Sequence, residues 1–225
     1  MTLTVAILAG GYGTRLRPLT NKKPKAMIDV NGKPFIGHQL ELLAESGIKH
    51  VILCTGHLGM QIAQYVGNGS QYGLHVEYSV DGAKRLQGTG GALRDAAGLG
   101  DAFFVLYGDA YLPCDYAAVE KAFLFCGRLG MMTVFPSGRG NTQYANGQVT
   151  EYNKTITSLP YIDYGLSVLS KQAIHRMPRE GPYDLGNLYL ELAEEGQMAG
   201  YEMPEPYHNI GSPSGLLELR RWLRR

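Results

Sequence analysis

The sequence predicts an α/β fold on a largely parallel sheet. Three observations carry that expectation. Short apolar runs at 3–9, 51–54 and 103–107 have the length of buried strands. They alternate with segments of helical spacing at 35–46, 59–66 and 116–125, as crossover units do. The 225 residues, 44% of them hydrophobic, suffice for one large domain with a sizeable core.

Taken in order, strand 3–9 runs straight into a glycine loop. Residues 27–30 and 33–36 flank Asn31-Gly32, a hairpin signal. Ile36, Leu40, Leu43 and Ala44 share one helical face, and Gly47 ends that helix. Strand 51–54, helix 59–66 and strand 74–79 follow. The stretch 81–91 is rich in glycine, and a helix is expected over 92–97. Strand 103–107 ends at Gly108-Asp109, before helix 116–125 and strand 131–135. Asn146-Gly147 marks a second hairpin between 142–145 and 148–152. A long strand at 161–169 precedes helices near 170–177 and 183–195 and a strand at 199–203. Ser212 caps the last helix, with Pro213 at its first position.

Composition excludes several classes. Lys and Arg number 21 against 20 Asp and Glu, so the formal net charge is only +1 and no basic stripe marks a nucleic-acid partner. The paired arginines at 220–221 and 224–225 suit the C-terminal end of a helix dipole. No apolar run reaches the length of a membrane span, and no signal peptide is apparent, so a cytoplasmic protein is expected. Cys54, Cys114 and Cys126 are an odd number without a C-x-x-C pair, which argues against a disulfide framework or zinc site. The six histidines show no metal-ligand spacing, and no G-x-S-x-G elbow is present.

The chemistry concentrates in Leu8-Ala9-Gly10-Gly11-Tyr12-Gly13-Thr14-Arg15, followed by Arg17 and Lys25. Glycines let backbone amides approach phosphate oxygens, and the cations can neutralise charge on phosphorus. The loop is not a dinucleotide fingerprint, because Leu16 stands where the third glycine belongs, and it is not a Walker A loop. Asp109 ends a buried strand, where α/β sheets bind ligands, and offers hard oxygens to magnesium; an ordinary turn is the plainer reading. Gln87 and Gly88 open a second glycine-rich loop that can meet a phosphate or a base edge. Lys154 and the stretch Asp163-Tyr164-Gly165 form either a polar wall for a hydroxylated ligand or a solvated face.

These motifs resemble the sugar-1-phosphate nucleotidylyltransferases, or nucleotide-sugar pyrophosphorylases. The resemblance rests on Gly10 to Thr20, Pro24-Lys25, Gly88 to Gly91, Gly108-Asp109, the Lys154 and Gly165 region, and Asn209 to Pro213. The length is similar to short members such as heptose-1-phosphate guanylyltransferases and N-acetylmuramate-1-phosphate uridylyltransferases. It leaves no room for a C-terminal acyltransferase helix. The resemblance implies a Rossmann-like three-layer sandwich with a mostly parallel mixed sheet and a small β-hairpin sugar-binding lobe. One domain, 1–225, would divide into a nucleotide-binding half (1–115) and a sugar-phosphate-binding half (116–225).

The implied reaction joins a nucleoside triphosphate to a sugar 1-phosphate and releases pyrophosphate, with Mg2+ as cofactor. GTP with a heptose or mannose-type sugar, or UTP, for a bacterial surface polysaccharide, is the expected pairing. Arg15 and Lys25 would be catalytic. Leu8, Ala9, Gly10, Gly11, Gly13, Thr14, Gln87, Gly88 and Gly108 would bind nucleotide. Lys154, Asp163, Tyr164 and Gly165 would bind the sugar phosphate, and Asp109 and Asn209 the metal. A homo-oligomer is compatible with the family; nucleic acid and membrane are not expected partners. Two departures stand out. Many members carry aspartate where this chain has Asn209, and the family often places glutamate directly before the lysine, whereas here Glu151 stands three residues earlier. Two other readings stay open: a cytidylyltransferase acting on phosphocholine or a phosphonate, and a silent nucleotide-sugar-binding regulatory subunit.

Overall fold

The computed structural model describes residues 2–81 and 87–224. Part of the expected glycine-rich stretch, 82–86, lies outside the described residues, as does Arg225. In chain order the elements are β1 (Thr4–Leu8), β2 (Asp29–Val30), β3 (Lys33–Pro34), α1 (Phe35–Glu45), β4 (His50–Thr55), α2 (Gly59–Val66) and β5 (His75–Val80). Next come α3 (Gly88–Arg94), β6 (Ala102–Tyr107), β7 (Ala110–Tyr111), α4 (Tyr116–Cys126), β8 (Gly130–Gly140), β9 (Thr142–Ala145) and β10 (Gln148–Tyr152). The chain closes with β11 (Leu159–Ser170), α5 (Lys171–Ile174), α6 (Leu185–Glu194), β12 (Met198–Glu202), β13 (His208–Asn209) and α7 (Pro213–Trp222).

Nine strands form one sheet in the order β5-β4-β1-β6-β11-β8-β12-β10-β9. The half β5-β4-β1-β6 is wholly parallel; β11 then enters antiparallel, and β8 and β12 pair parallel again. Successive side chains of a strand point to opposite faces, so each buried strand must feed two cores. Val5 and Ile7 of β1, with Phe104 and Leu106 of β6, pack towards Leu40 and Leu43 of α1, Ile62 of α2 and Val119 of α4. Ala6, Phe103 and Val105 pack the other way, towards Leu93 of α3, Ala173 of α5 and Leu188 and Leu192 of α6. That gives three layers, the sandwich expected from the sequence. A smaller core under α7 joins Leu216 and Leu219 to Leu16, Val30, Phe35 and Tyr111.

Both hairpin signals form turns of the expected kind. Asn31 and Gly32, and Asn146 and Gly147, all take positive φ, as a two-residue turn matched to strand twist requires. The second hairpin, β9–β10, is continuous with the edge of the main sheet.

Two expectations are corrected. The helix expected at 92–97 starts four residues earlier: Gly88, Thr89, Gly90 and Gly91 are its first turn rather than a loop before it. Tertiary contact overrides poor glycine propensity there, because a Cβ on Gly88 or Gly90 would lie 2.6 Å from Tyr183. The backbone amides of Gly90 and Gly91 both donate to the Tyr183 carbonyl. The helix expected over 170–177 shrinks to the four residues of α5, capped by the Ser170 hydroxyl.

Candidate active site

From β1 the chain crosses outward to β4 and β5 on one side and then returns to β6 on the other, so the carboxyl ends of β1 and β6 bound a topological switch point. A crevice opens at such a point in α/β sheets. Here it is about 250 Å³, near the lower bound for small-molecule pockets, and Leu8, Ala9, Gly10, Gly11, Lys25, Asp81, Gly88, Tyr107, Gly108 and Asp109 are among its lining residues.

Backbone contacts hold the glycine loop. The Ala9 amide donates to the Cys54 carbonyl (2.8 Å) and the His57 amide to the Gly10 carbonyl (3.2 Å), which ties the loop to the end of β4. Beside Gly11 there is open space. Gly13 adopts φ +62°, and its carbonyl accepts the Thr20 hydroxyl at 2.9 Å. That left-handed residue starts the 3-10 turn Thr14–Leu16, in which Leu16 is buried and Thr14 and Arg15 are exposed. Gly108 closes the floor: its amide donates to the Leu8 carbonyl, and a Cβ would lie 2.6 Å from that oxygen and 3.0 Å from Ala9 Cα.

The polar groups converge from three stretches distant in sequence, Arg15 to Lys25, Asp109 and Asn209. Lys25, opening the 3-10 turn Lys25–Met27, places Nζ 2.8 Å from Asp109 Oδ2. β7 pairs antiparallel with β13, setting Asn209 opposite Ala110. The Ile210 amide donates to the Asp109 carbonyl, and Asn209 Oδ1 accepts the Gly211 amide at 3.0 Å. A Cβ built on Gly211 would meet Arg15 Nη2 and Asp109 Oδ2 at 3.2 Å and Asn209 Oδ1 at 3.3 Å. Arg15, Lys25, Asp109 and Asn209 therefore surround one small volume at the mouth of the crevice.

A family profile described as "Nucleotidyl transferase" matches residues 4–150, well over half of the chain and all of the crevice floor. The chain belongs to the nucleotidyl transferase family. Among curated nucleotidyl transferases it is 29% identical over 223 residues to the mannose-1-phosphate guanylyltransferase catalytic subunit beta of Xenopus tropicalis, an alignment covering 94% of this chain and 62% of that protein. It is 40% identical over 113 residues to the N-acetylmuramate alpha-1-phosphate uridylyltransferase of Neisseria meningitidis serogroup B, covering 50% of this chain and 49% of that one. The chain thus spans less than two thirds of the length of these relatives. Its fold is that of HddC from Yersinia pseudotuberculosis, with a TM-score of 0.84 at 23% identity over 99% of this chain and 100% of that one. No helix among the described residues is long and apolar enough to cross a membrane.

Beyond the nucleotidyl transferase crevice lies a second polar group. Lys154 pairs with Asp184, the N-cap of α6, whose carboxyl also accepts the Gly186 amide. Burial opposes ionisation of Asp184, yet the hydrogen bonds from Lys154 and Gly186 outweigh it and hold the carboxyl below its usual range. Asp163 behaves oppositely. Burial pushes it up to about 6, although the Gly165 amide (2.9 Å), the Lys154 charge and the Tyr107 and Tyr152 hydroxyls all pull it down. Gly165, at φ +100°, lets β11 bend past Ala110 at this point. Tyr164 sits apart: its ring is buried in the α1–α4 core, edge-on to Tyr207, and lines a different cleft with Cys114 and Met203. Asp163 thus faces the polar group and its neighbour Tyr164 does not, as alternation along a strand requires.

Sequence reasoning missed Asp81, Thr89, Tyr107, Tyr152 and Asp184. Asp81 lines the crevice, and its carboxyl accepts the Gln87 amide at 3.1 Å. Burial raises its carboxyl above the usual range, against that hydrogen bond. Its position two residues after the expected strand 74–79 was the available signal, as Asp109 stands two residues after 103–107.

Proposed function

We propose that this protein transfers a nucleotidyl group from a nucleoside triphosphate to a sugar 1-phosphate, yielding a nucleotide-sugar and pyrophosphate. One observation carries the reading: a guanidinium, a carboxylate and an amide oxygen gather around Gly211, and the Lys25 ammonium pairs with that carboxylate, beside a glycine-walled crevice. A sugar-phosphate oxygen forms the new bond to the α-phosphorus, the bond to the β-phosphate bridging oxygen breaks, and pyrophosphate leaves with that electron pair. The nucleophile is already an anion, so no general base is needed. The barrier lies in bringing two anions in line, and fixed cations lower it. Arg15 would meet the departing pyrophosphate and Lys25 the α-phosphate, Lys25 exchanging its carboxylate partner, Asp109, for a phosphate oxygen.

Asp109, just before β7, and Asn209, on β13, present two hard oxygens, one of them charged, and this donor set fits Mg2+. When bound, the ion would screen the phosphates from the incoming anion. Asn209 supplies a carbonyl without charge, so Asp109 carries the electrostatic share.

Asp81 follows β5 and Asp109 follows β6, three strand spacings or about 14 Å apart, a span suited to the base and phosphates of one nucleotide. A carboxylate at the base end favours guanine, whose N1–H and N2–H2 donate side by side. Uracil offers one N–H between two carbonyls that repel it. Lys154 would meet the sugar phosphate, and Asp163, held by the Tyr107 and Tyr152 hydroxyls, would meet sugar hydroxyls. Four triphosphates are assayed against a panel of sugar 1-phosphates, mannose and heptoses included, with pyrophosphate release as the signal. GTP should be preferred, and Asp81→Asn should reduce the GTP-over-UTP preference at least tenfold. An unchanged preference removes Asp81 from base recognition.

A further inference from the structure

The described residues hold one group of three potential metal ligands, and it lies away from the crevice. His50 begins β4, and His75 and Glu77 stand on the neighbouring strand β5. The parallel register sets His50 opposite His75 and Ile52 opposite Glu77, so the three side chains rise from one face of the sheet edge. Five residues of strand, about 16 Å, separate His50 from the crevice end of β4.

Two imidazole nitrogens and a carboxylate oxygen lie within 4.8 Å of one another. His50 Nε2 is 2.7 Å from Glu77 Oε2, and His75 Nε2 is 3.8 Å from Glu77 Oε1, with the two rings stacked at 5.1 Å. Ligand atoms around a tetrahedral zinc ion stand about 3.3 Å apart, so only small rotations of the two exposed side chains, His75 and Glu77, are needed. A supporting contact is in place: Thr4 Oγ1 lies 3.1 Å from His50 Nδ1. Without an ion, Nε2–H donates to Glu77 and Nδ1 accepts the Thr4 hydroxyl; a metal would replace the Nε2 proton, and Nδ1–H would then donate to that hydroxyl, the support that outer-shell partners give ligating histidines. Gly98 covers the group at φ +82°, and a Cβ there would come within 3.1 Å of Glu77 Oε2.

We propose that His50, His75 and Glu77 bind a divalent first-row transition metal of the zinc or nickel class, independently of nucleotidyl transfer. Two nitrogens and one carboxylate select such ions over Mg2+ and Ca2+, which prefer all-oxygen sites. Bound metal would pin the edge strand β5 to β4.

The test titrates tag-free, chelator-treated protein with Zn2+, and separately with Mg2+, by calorimetry, and follows melting temperature in parallel. The expected result is one Zn2+ site per chain that also raises the melting temperature. His75→Ala and Glu77→Gln should each weaken Zn2+ binding at least tenfold and abolish the thermal shift. Both residues are exposed, so both variants should fold, and circular dichroism verifies this. Pyrophosphate release should be unchanged in both. Zn2+ binding of equal strength in wild type and His75→Ala would overturn the proposal, because the ion would then be held by other residues. So would the absence of Zn2+ binding, or Mg2+ binding as tightly as Zn2+ at this group.

Discussion

Lys25 and Asp109 lie 84 residues apart in sequence and 2.8 Å apart in space, with both side chains about one-fifth exposed. An ammonium held this way is oriented before phosphate arrives, which is what electrostatic preorganisation requires. Lys25→Ala should therefore lower kcat by about 10²–10³ while circular dichroism and melting stay near wild type. A variant of near-normal turnover would show that the α-phosphate charge is stabilised elsewhere. Asp163 makes a second prediction at this scale. Its carboxyl titrates at about 6 in the folded protein and near 4 when unfolded. The folded state therefore holds the proton more tightly. The associated stability is fully present below pH 4 and is lost as pH rises through 6, a loss on the order of 1–3 kcal/mol. Asp163→Asn should flatten the fall in unfolding free energy between pH 4 and 6, measured by urea titration at several pH values. An identical slope in variant and wild type would mean that another group governs it.

Among the elements, those with a clean period were legible in the sequence. α2 has the bounds its apolar spacing predicts, and both Asn-Gly turns fold as hairpins. The first turn of α3 was not legible, because Gly88, Gly90 and Gly91 form helix only through the Tyr183 backbone some ninety residues away. The two-residue strands β7 and β13 are too short to carry any period, yet their pairing brings Asn209 to Asp109. Asp81 and Asp184 stand at ordinary element ends, Asp81 after β5 and Asp184 as the N-cap of α6, and nothing local marks the groups that they join across the fold. The junction of β1 with β6 offers the sharpest test at this scale. Gly108→Ala would drive a methyl against the Leu8 carbonyl and Ala9 and force the two central strands apart. The cost should be about 1–3 kcal/mol, as for overpacking elsewhere. At about 2–4 °C per kcal/mol for a domain of this size, differential scanning calorimetry should register a clear drop in melting temperature. An unaltered melting temperature would mean that the strand ends yield at no cost.

For the molecule as a whole, the parallel half of the sheet supplies the crevice and the antiparallel half supplies the second polar group. The glycine string, Arg15, Lys25 and Asp109 were visible in the sequence because phosphate chemistry demands those residue types. The groups proposed to choose base and sugar were not, because recognition there rests on scattered polar side chains such as Asp81, Tyr107 and Tyr152. Arg15, Lys25, Asp109 and Asn209 are proposed together to drive nucleotidyl transfer. Its most direct measurement is pyrophosphate release, with mass spectrometry of the product, from GTP and mannose or heptose 1-phosphate with Mg2+, comparing wild type with Asp109→Ala. Wild type should give stoichiometric nucleotide-sugar and pyrophosphate, and a folded Asp109→Ala a rate at least a hundredfold lower. Failure of wild type to release pyrophosphate with any triphosphate and sugar 1-phosphate, or undiminished turnover in the variant, would contradict that proposal.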